Sequence, residues 1–396
     1  MPGEPAAASE LDRVIERGGT ASLKWDFQKR FTGLEGLLPL WVADMDFPAP
    51  PQVVEALRER VEHGVYGYTL EPESWFAAAM EWMHQRHGWR LQREWLAGCP
   101  GVVPSINLAI LAFTAPGDRV VIQPPVYYPF EASIRRNGRV VVENPLALDG
   151  ERYVMDLDHL ERLVDARTRL LILSSPHNPV ARVWRREELE RLAEVCLRRG
   201  LLVVSDEIHC DLLQPGFRHL PTAALGPEIA GRTLTFLSAT KTFNLAGLGG
   251  SLAVIPDPAL RQRFRELREA VWTGLANAFS VTAAEAAWRH GGPWLDRVLA
   301  YVGDNFRFLG EFLARRLPLA RVFPLEGTYL AWIDCRGLGL ADEELKERIL
   351  RQARIWLDDG PMFGTGGQGF QRLNLACPRA TLREALERIA AALAGS

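Results

Sequence analysis

The feature that most limits what this chain can fold into is a change of period along its middle. Arg119–Gln123, Leu170–Ser174, Leu201–Ser205, Thr233–Leu237 and Ser251–Ile255 are short, nearly unbroken apolar runs. Helical patterns separate several of them, most clearly Arg186–Arg199 (REELERLAEVCLRR), which stops at Gly200. Strands that are apolar on both faces and alternate with amphipathic helices predict an α/β fold, a mainly parallel sheet covered on both sides. After about Gly292 the pattern shifts to long amphipathic helices (Trp294–Arg316, Asp342–Ala353, Thr381–Leu393) around a few strands, notably Tyr329–Asp334 and Gln371–Leu375. The expected organisation is a large domain over residues 51–290 and a smaller α+β domain over 291–396, joined by an N-terminal segment, 1–50. A chain of 396 residues is long for one core, which agrees with two.

Composition narrows the function. A net charge of −3 argues against a surface for nucleic acid or an anionic membrane, either of which would want a net basic face, and neither partner is expected. Cys99, Cys196, Cys210, Cys335 and Cys377 are scattered and odd in number, with no C-x-x-C pair, so neither a disulfide framework nor a zinc site is expected. The histidines do not fall at ligand spacing, and no metal is expected. Met1–Gly19 lacks the apolar core of a secretory signal and no apolar run reaches membrane-spanning length, so the expected setting is cytoplasmic.

In open α/β sheets a ligand sits beyond the carboxyl ends of the strands, and the unusual residues fall there. Tyr127 follows the strand ending at Gln123, and Asn178 follows the one ending near Ser174. Asp206 follows Leu201–Ser205, and Lys241 follows Thr233–Leu237. Lys241 is flanked by hydroxyls and far in sequence from Lys29 and Lys346. A partly desolvated amine can lose its proton and form an imine with an aldehyde, whereas a random lysine is usually a surface one. Asp206 reads either as a helix N-cap or as the partner of a protonated ring nitrogen. His209 reads as an aid to Asp206, a ring contact or a structural histidine. Asn178 before Pro179 is a turn former or an amide donor, and that peptide bond is expected to be cis. Tyr127 is a half-buried aromatic or a stacking ring.

Gly101 opens a helical run, so the amides of Gly101, Val102 and Val103 can meet a phosphate, with Ser238 adding a hydroxyl. Arg372 reads as a surface arginine or, at the mouth of a strand, as a fork for a substrate carboxylate. Gly364–Gly369 matches G-x-G-x-x-G but leads into a strand, so it is not read as a dinucleotide fingerprint.

These residues lie within a longer set of motifs: Pro39–Phe47 (PLWVADMDF), Gly64–Thr69 (GVYGYT), Gly101–Pro104 (GVVP), Pro125–Phe130 (PVYYPF), Pro176–Pro179 (PHNP), Ser205–His209 (SDEIH), Lys241–Gly247 (KTFNLAG), Glu326–Leu330 (EGTYL), Arg372–Asn374 and Ala376–Arg379 (ACPR). Over nearly its whole length the chain resembles the fold-type-I pyridoxal-phosphate enzymes of the aminotransferase class I/II superfamily. Within them it resembles the cystathionine β-lyase (cysteine-S-conjugate β-lyase) group of MalY/PatB type. The resemblance implies pyridoxal 5'-phosphate as cofactor and a large domain with a seven-stranded-type sheet. Lys241 is then the Schiff-base lysine, Asp206 the ring-nitrogen partner, Asn178 the phenolate-oxygen donor and Tyr127 the stacking ring. Arg372 becomes the carboxylate ligand, with Ala43 bordering the substrate, and Ser238, Thr240 and the Gly101–Val103 amides lie at the phosphate. Tyr68 reaches a neighbouring subunit's phosphate, implying a homodimer with shared sites.

Three departures stand out. Ala181 replaces the usual glycine, which predicts an altered turn beside the cofactor unless strain is accepted. Thr240 replaces a serine, and Gly249 stands where many aminotransferases carry an arginine. The leading functional reading is a C–S β-lyase. An aminotransferase and a cofactor-binding regulatory protein with little turnover are the alternatives.

Overall fold

The computed structural model describes residues 10–394, so the reading of Met1–Gly19 falls partly outside the described residues. Seven strands form the central sheet: β1 (Leu96–Cys99), β2 (Arg119–Ile122), β3 (Val140–Glu143), β4 (Thr168–Ser174), β5 (Leu202–Asp206), β6 (Thr233–Leu237) and β7 (Ser251–Val254). Their spatial order is β1-β7-β6-β5-β4-β2-β3. β2, β3, β4, β5 and β6 pair in parallel, while β7 runs antiparallel to both β6 and β1. The sheet is therefore mainly parallel, with one reversed strand.

The apolar runs are explained by burial on two faces. Val121, Leu171, Leu173 and Val203 pack on one side with Leu189, Leu192 and Val195 of the helix Arg186–Arg199. Val120, Leu170, Ile172, Val204 and Phe236 pack on the other with Ile106, Ala109 and Phe113 of the helix Val102–Phe113. Successive residues of one strand thus enter opposite cores, and neither face can be polar. The helix Arg186–Arg199 ends where its sequence pattern ends, at Gly200 in the left-handed region (φ 68°).

A second, four-stranded antiparallel sheet joins Arg321–Val322, Leu330–Asp334, Phe370–Asn374 and Asp358–Asp359 in that order. The helices Gly292–Arg316 and Arg379–Leu393 belong to the same part of the chain. The N-terminal segment reaches it through a parallel pairing of Leu38–Pro39 with Ile355–Trp356. Trp41 stacks on Trp356 beside that pairing (4.3 Å between centroids, 16° between planes).

Several expected boundaries move. Asp206 is the last residue of β5, not the residue after it. The helical run expected after Gly101 is present as Val102–Phe113, with Gly101 at its N-cap. The single helix expected over 342–353 divides into an α-helix, Asp342–Glu347, and a π-helical turn, Arg348–Gln352. Arg372 is the third of five residues in its strand, not at its mouth. No helix among the described residues is long and apolar enough to cross a membrane.

Candidate active site

A cavity of about 250 Å³ lies at the carboxyl ends of β4, β5 and β6. Among the sequence-predicted residues, Ala43, Gly101, Val102, Val103, Tyr127, Asn178, Asp206, His209, Thr240, Lys241 and Arg372 line it. Two do not. Ser238 lies behind the wall, where it caps the short helix Ala239–Thr242 by accepting from the Thr240 amide (3.1 Å). Its one proton goes to Gly250 O (2.7 Å), so the hydroxyl facing the cavity is that of Thr240. Tyr68 is 97% exposed and away from the cavity in its own chain.

Lys241 Nζ donates to the carbonyl of Ala43 (2.5 Å), and the Tyr329 hydroxyl donates to the same oxygen (2.9 Å). Burial lowers the pKa of the amine from 10.5 to about 8, because the charged form is poorly solvated there. Burial also pushes the Asp206 carboxyl up to about 7, against the opposing effects of the Ile208 amide and Lys241. The Ile208 amide (3.1 Å) and the charge of Lys241 offset only part of that burial cost. Burial likewise lowers His209 to about 3, so its ring is neutral, and its Nδ1 is buried with no hydrogen-bond partner.

Arg372 is buried and multiply engaged. It donates to Asn178 Oδ1 (2.9 Å), to Trp41 O (2.8 Å) and to Asp358, while its Nε has no partner. Asn178 therefore turns its oxygen to Arg372 and leaves its amide NH₂ on the opposite side of the group. The expected cis bond between Asn178 and Pro179 is present. Ala181 takes φ 57°, so the turn keeps a left-handed residue and accepts strain. Its carbonyl is tied to the amides of Glu326 (3.1 Å) and Gly327 (3.0 Å).

One end of the cavity is built for an anion. The helix starting at Val102 presents the free first-turn N–H groups of Val102 and Val103, and Pro104 has none to offer. Gly249 and Gly250 close that end. Gly250 sits at φ 89°, and a Cβ there would come within 2.1 Å of Ser280 Oγ.

Sequence reasoning missed four contributors. Tyr128 and Ser174 line the cavity, Asp358 pairs with Arg372, and Tyr329 holds the Ala43 carbonyl. Tyr128 adjoins Tyr127 in the same motif and could have been found. Ser174 ends a strand and could have been found too, whereas the Asp358–Arg372 pair depends on strand register in the second sheet and the Tyr329 contact on where the N-terminal segment lies. Elsewhere, His87, Cys210 and Asp211 bring ligand atoms within 4.8 Å of one another, a grouping that sequence spacing did not suggest. Asp211 is already saturated there by Trp82 Nε1 (3.0 Å), His87 Nε2 (2.7 Å) and Thr242 Oγ1 (2.8 Å).

An enclosed amine of lowered basicity, a buried carboxylate of raised pKa, a helix start open to an anion and a flat tyrosine together suit a phosphorylated pyridine aldehyde. That places the fold and cavity among the open α/β enzymes that hold their cofactor through a lysine imine. The chain belongs to the aminotransferase class I and II family, whose profile matches residues 35–389. It is 44% identical over 384 residues to cystathionine beta-lyase PatB of Bacillus subtilis, covering 97% of this chain and 99% of that one. Protein MalY of Escherichia coli is 31% identical over 378 residues, covering 95% and 96%. Among solved structures, cystalysin from Treponema denticola, which contains pyridoxal 5'-phosphate, matches with a TM-score of 0.94 at 38% identity, covering 97% and 98%.

Proposed function

We propose that this chain is a pyridoxal-phosphate-dependent C–S β-lyase that cleaves cystathionine or related cysteine S-conjugates to a thiol, pyruvate and ammonia. The observation that carries the reading is the Lys241 amine, enclosed with Asp206 in one cavity, hydrogen-bonded to a neutral carbonyl and lowered toward neutrality. Likeness to cystathionine β-lyases over nearly the full length supports the leaving group chosen.

Bound there, pyridoxal phosphate supplies an aldehyde for imine formation and a ring that accepts the electron pair left at Cα. The chain's own residues do the rest. Of the residues lining the cavity, Asp206 would pair with the ring nitrogen, Asn178 would donate to the phenolic oxygen, and Tyr127 would stack on the ring. His209 lines the same cavity as Asp206, and Thr240 with the Val102 and Val103 amides would hold the phosphate. Arg372 fixes the substrate carboxylate through N–H groups not committed to Asp358, Asn178 and Trp41. Lys241, once free, removes the Cα proton as general base. The C–S bond then breaks, the thiolate takes up a proton, and water converts the released enamine to pyruvate and ammonia.

The working form in this reading is a cytoplasmic homodimer. Tyr68 (97% exposed) and Trp272 (84% exposed) lie with Tyr66, Leu70 and Leu275 on neighbouring segments joined by the Thr69–Ala276 bridge. An apolar surface of that kind is a candidate for burial against a second copy. We also read the chain as a large domain over 51–290, with 1–50 and 291–396 together forming the small one.

The deciding experiment supplies cystathionine and follows pyruvate and free thiol. Pyruvate release without any 2-oxo acid acceptor is expected, and turnover only with an acceptor would sink the lyase reading. Lys241→Ala should lose both pyruvate release and the absorbance of the internal imine; keeping both would refute the scheme.

A further inference from the structure

The charged side chains that act most on the Lys241 amine come from three separate elements: Asp44 from the N-terminal segment, Arg372 from the second sheet and Asp206 from β5. Burial raises the phenol pKa values of Tyr127, Tyr128 and Tyr329 and lowers that of His209, so none of these neighbours carries charge near neutral pH. Asp44 follows Ala43, whose carbonyl accepts from Lys241 Nζ (2.5 Å). An unanswered negative charge there would hold the amine in its protonated form, which can neither attack an aldehyde nor take up a proton.

Asp44 is answered twice. Arg17 meets it as a fork, Nη1 to Oδ1 (3.1 Å) and Nη2 to Oδ2 (2.6 Å), and also donates to Asp46 Oδ1 (2.6 Å). Lys24, fully buried, donates to Asp46 Oδ2 (2.7 Å) and lies 3.4 Å from Asp44 Oδ1. Two cations and two carboxylates thus form one cluster without net charge. We propose that Arg17 and Lys24 are positioning residues for the reaction: acting through Asp44, they cancel the carboxylate charge beside the Lys241 anchor and keep that amine available as nucleophile and base. This rests on the cofactor assignment above and extends it to residues outside the cavity.

Three observations argue that the cations serve by their charge. The backbone around Asp44 has other anchors, since Asn374 donates to the carbonyls of Val42 (2.8 Å) and Asp44 (2.6 Å) and Asn244 to those of Met45 and Phe47. The loop between the cations is shaped to deliver both. The amides of Gly19 and Ser22 donate to the Asp26 carboxylate (2.8 Å each), Thr20 Oγ1 donates to Arg17 O (2.7 Å), and Ala21 accepts φ 58°, a region unfavourable to alanine. Finally, burial works against the charge of Asp44, yet Arg17 and Lys24 outweigh it and hold the carboxyl below its usual range. Arg372 is treated alike, its charge met by Asp358.

The test follows imine formation between cofactor-free protein and added pyridoxal phosphate by absorbance, and reads the pH midpoint of its rate. The cofactor's own ionisations are common to every protein and cancel in the differences. Arg17→Ala leaves the cluster with a net negative charge, so the midpoint should rise by roughly 0.5–1 pH unit, the scale of one partly screened charge near a titrating group. Asp44→Asn keeps the side-chain shape, leaves a net positive charge and should lower the midpoint by a similar amount. Lost packing alone would not move the two variants in opposite directions. Removing one partner of a buried pair can also destabilise the fold. Asp44→Asn, partly exposed, therefore carries the test if Arg17→Ala folds poorly. The double variant should return close to wild type, and one that kept the whole Arg17→Ala shift would overturn the route through Asp44. Shifts of the same sign, or midpoints within about 0.2 unit of wild type in both single variants, overturn the proposal and leave the cofactor assignment standing. A wild type that forms no imine overturns that assignment itself.

Discussion

At the scale of single residues, the site rests on an amine that burial has made less basic. Imine formation needs the neutral amine, so the rate at which cofactor-free protein combines with added pyridoxal phosphate should rise with pH to a midpoint near 8. A midpoint near the unperturbed 10.5 would contradict the enclosure of Lys241. The same shift contributes to stability with a definite sign. Between about 8 and 10.5 the unfolded chain holds a proton that the folded one has lost, so Lys241 stabilises the cofactor-free protein increasingly as pH rises through that window. That contribution is fully present above 10.5 and lost as pH falls through about 8. Lys241, Asp206, Asn178 and Tyr127 were legible in the sequence because each ends or follows an apolar strand, and strand ends converge in an open sheet. The engagement of Arg372 with Asp358, and of Ser238 with Gly250, was not legible. Both depend on which lone pairs and N–H groups meet after the chain has folded.

At the scale of elements, the segment from Trp41 to Phe47 is held by side chains rather than by strand pairing. Arg372 takes the carbonyl of Trp41, Asn374 those of Val42 and Asp44, and Tyr329 with Lys241 that of Ala43. Asn244 donates to Met45 O (3.0 Å) and Phe47 O (2.8 Å) and accepts from the Met45 amide (2.9 Å). It does so from the left-handed region, at φ 59°, which asparagine tolerates better than alanine. Asn244→Ala should therefore cost about 2–4 kcal/mol, from three lost hydrogen bonds and the added backbone strain. Denaturant unfolding of the cofactor-free variant checks this, and a loss below about 0.5 kcal/mol would mean that the segment is held without it. Element type was readable wherever the period was clear, as in Arg186–Arg199. The direction of β7 was not, because an apolar run buried on both faces reads the same whichever way it runs. The π-helical turn at Arg348–Gln352 was hidden too, since one widened turn barely disturbs an amphipathic pattern.

At the scale of the whole molecule, all five cysteines are buried and free, and burial pushes each thiol pKa up. A thiol-reactive chromogenic disulfide should find essentially no reactive group in the native protein and all five after denaturation, read by absorbance. The scatter of those cysteines already excluded a disulfide framework, but their burial follows only from the packed layers. The amines are just as unevenly placed. The sequence holds only four lysines. Lys24 is fully buried against Asp46 and Lys241 faces the cofactor cavity, which leaves Lys29 and Lys346 as the exposed side-chain amines. For conjugation chemistry the protein is thus close to a two-handled object. One handle, Lys346, lines the cavity of about 710 Å³ that Phe31, Trp41 and Trp356 also line, so a fluorophore attached there would sense changes at that cavity.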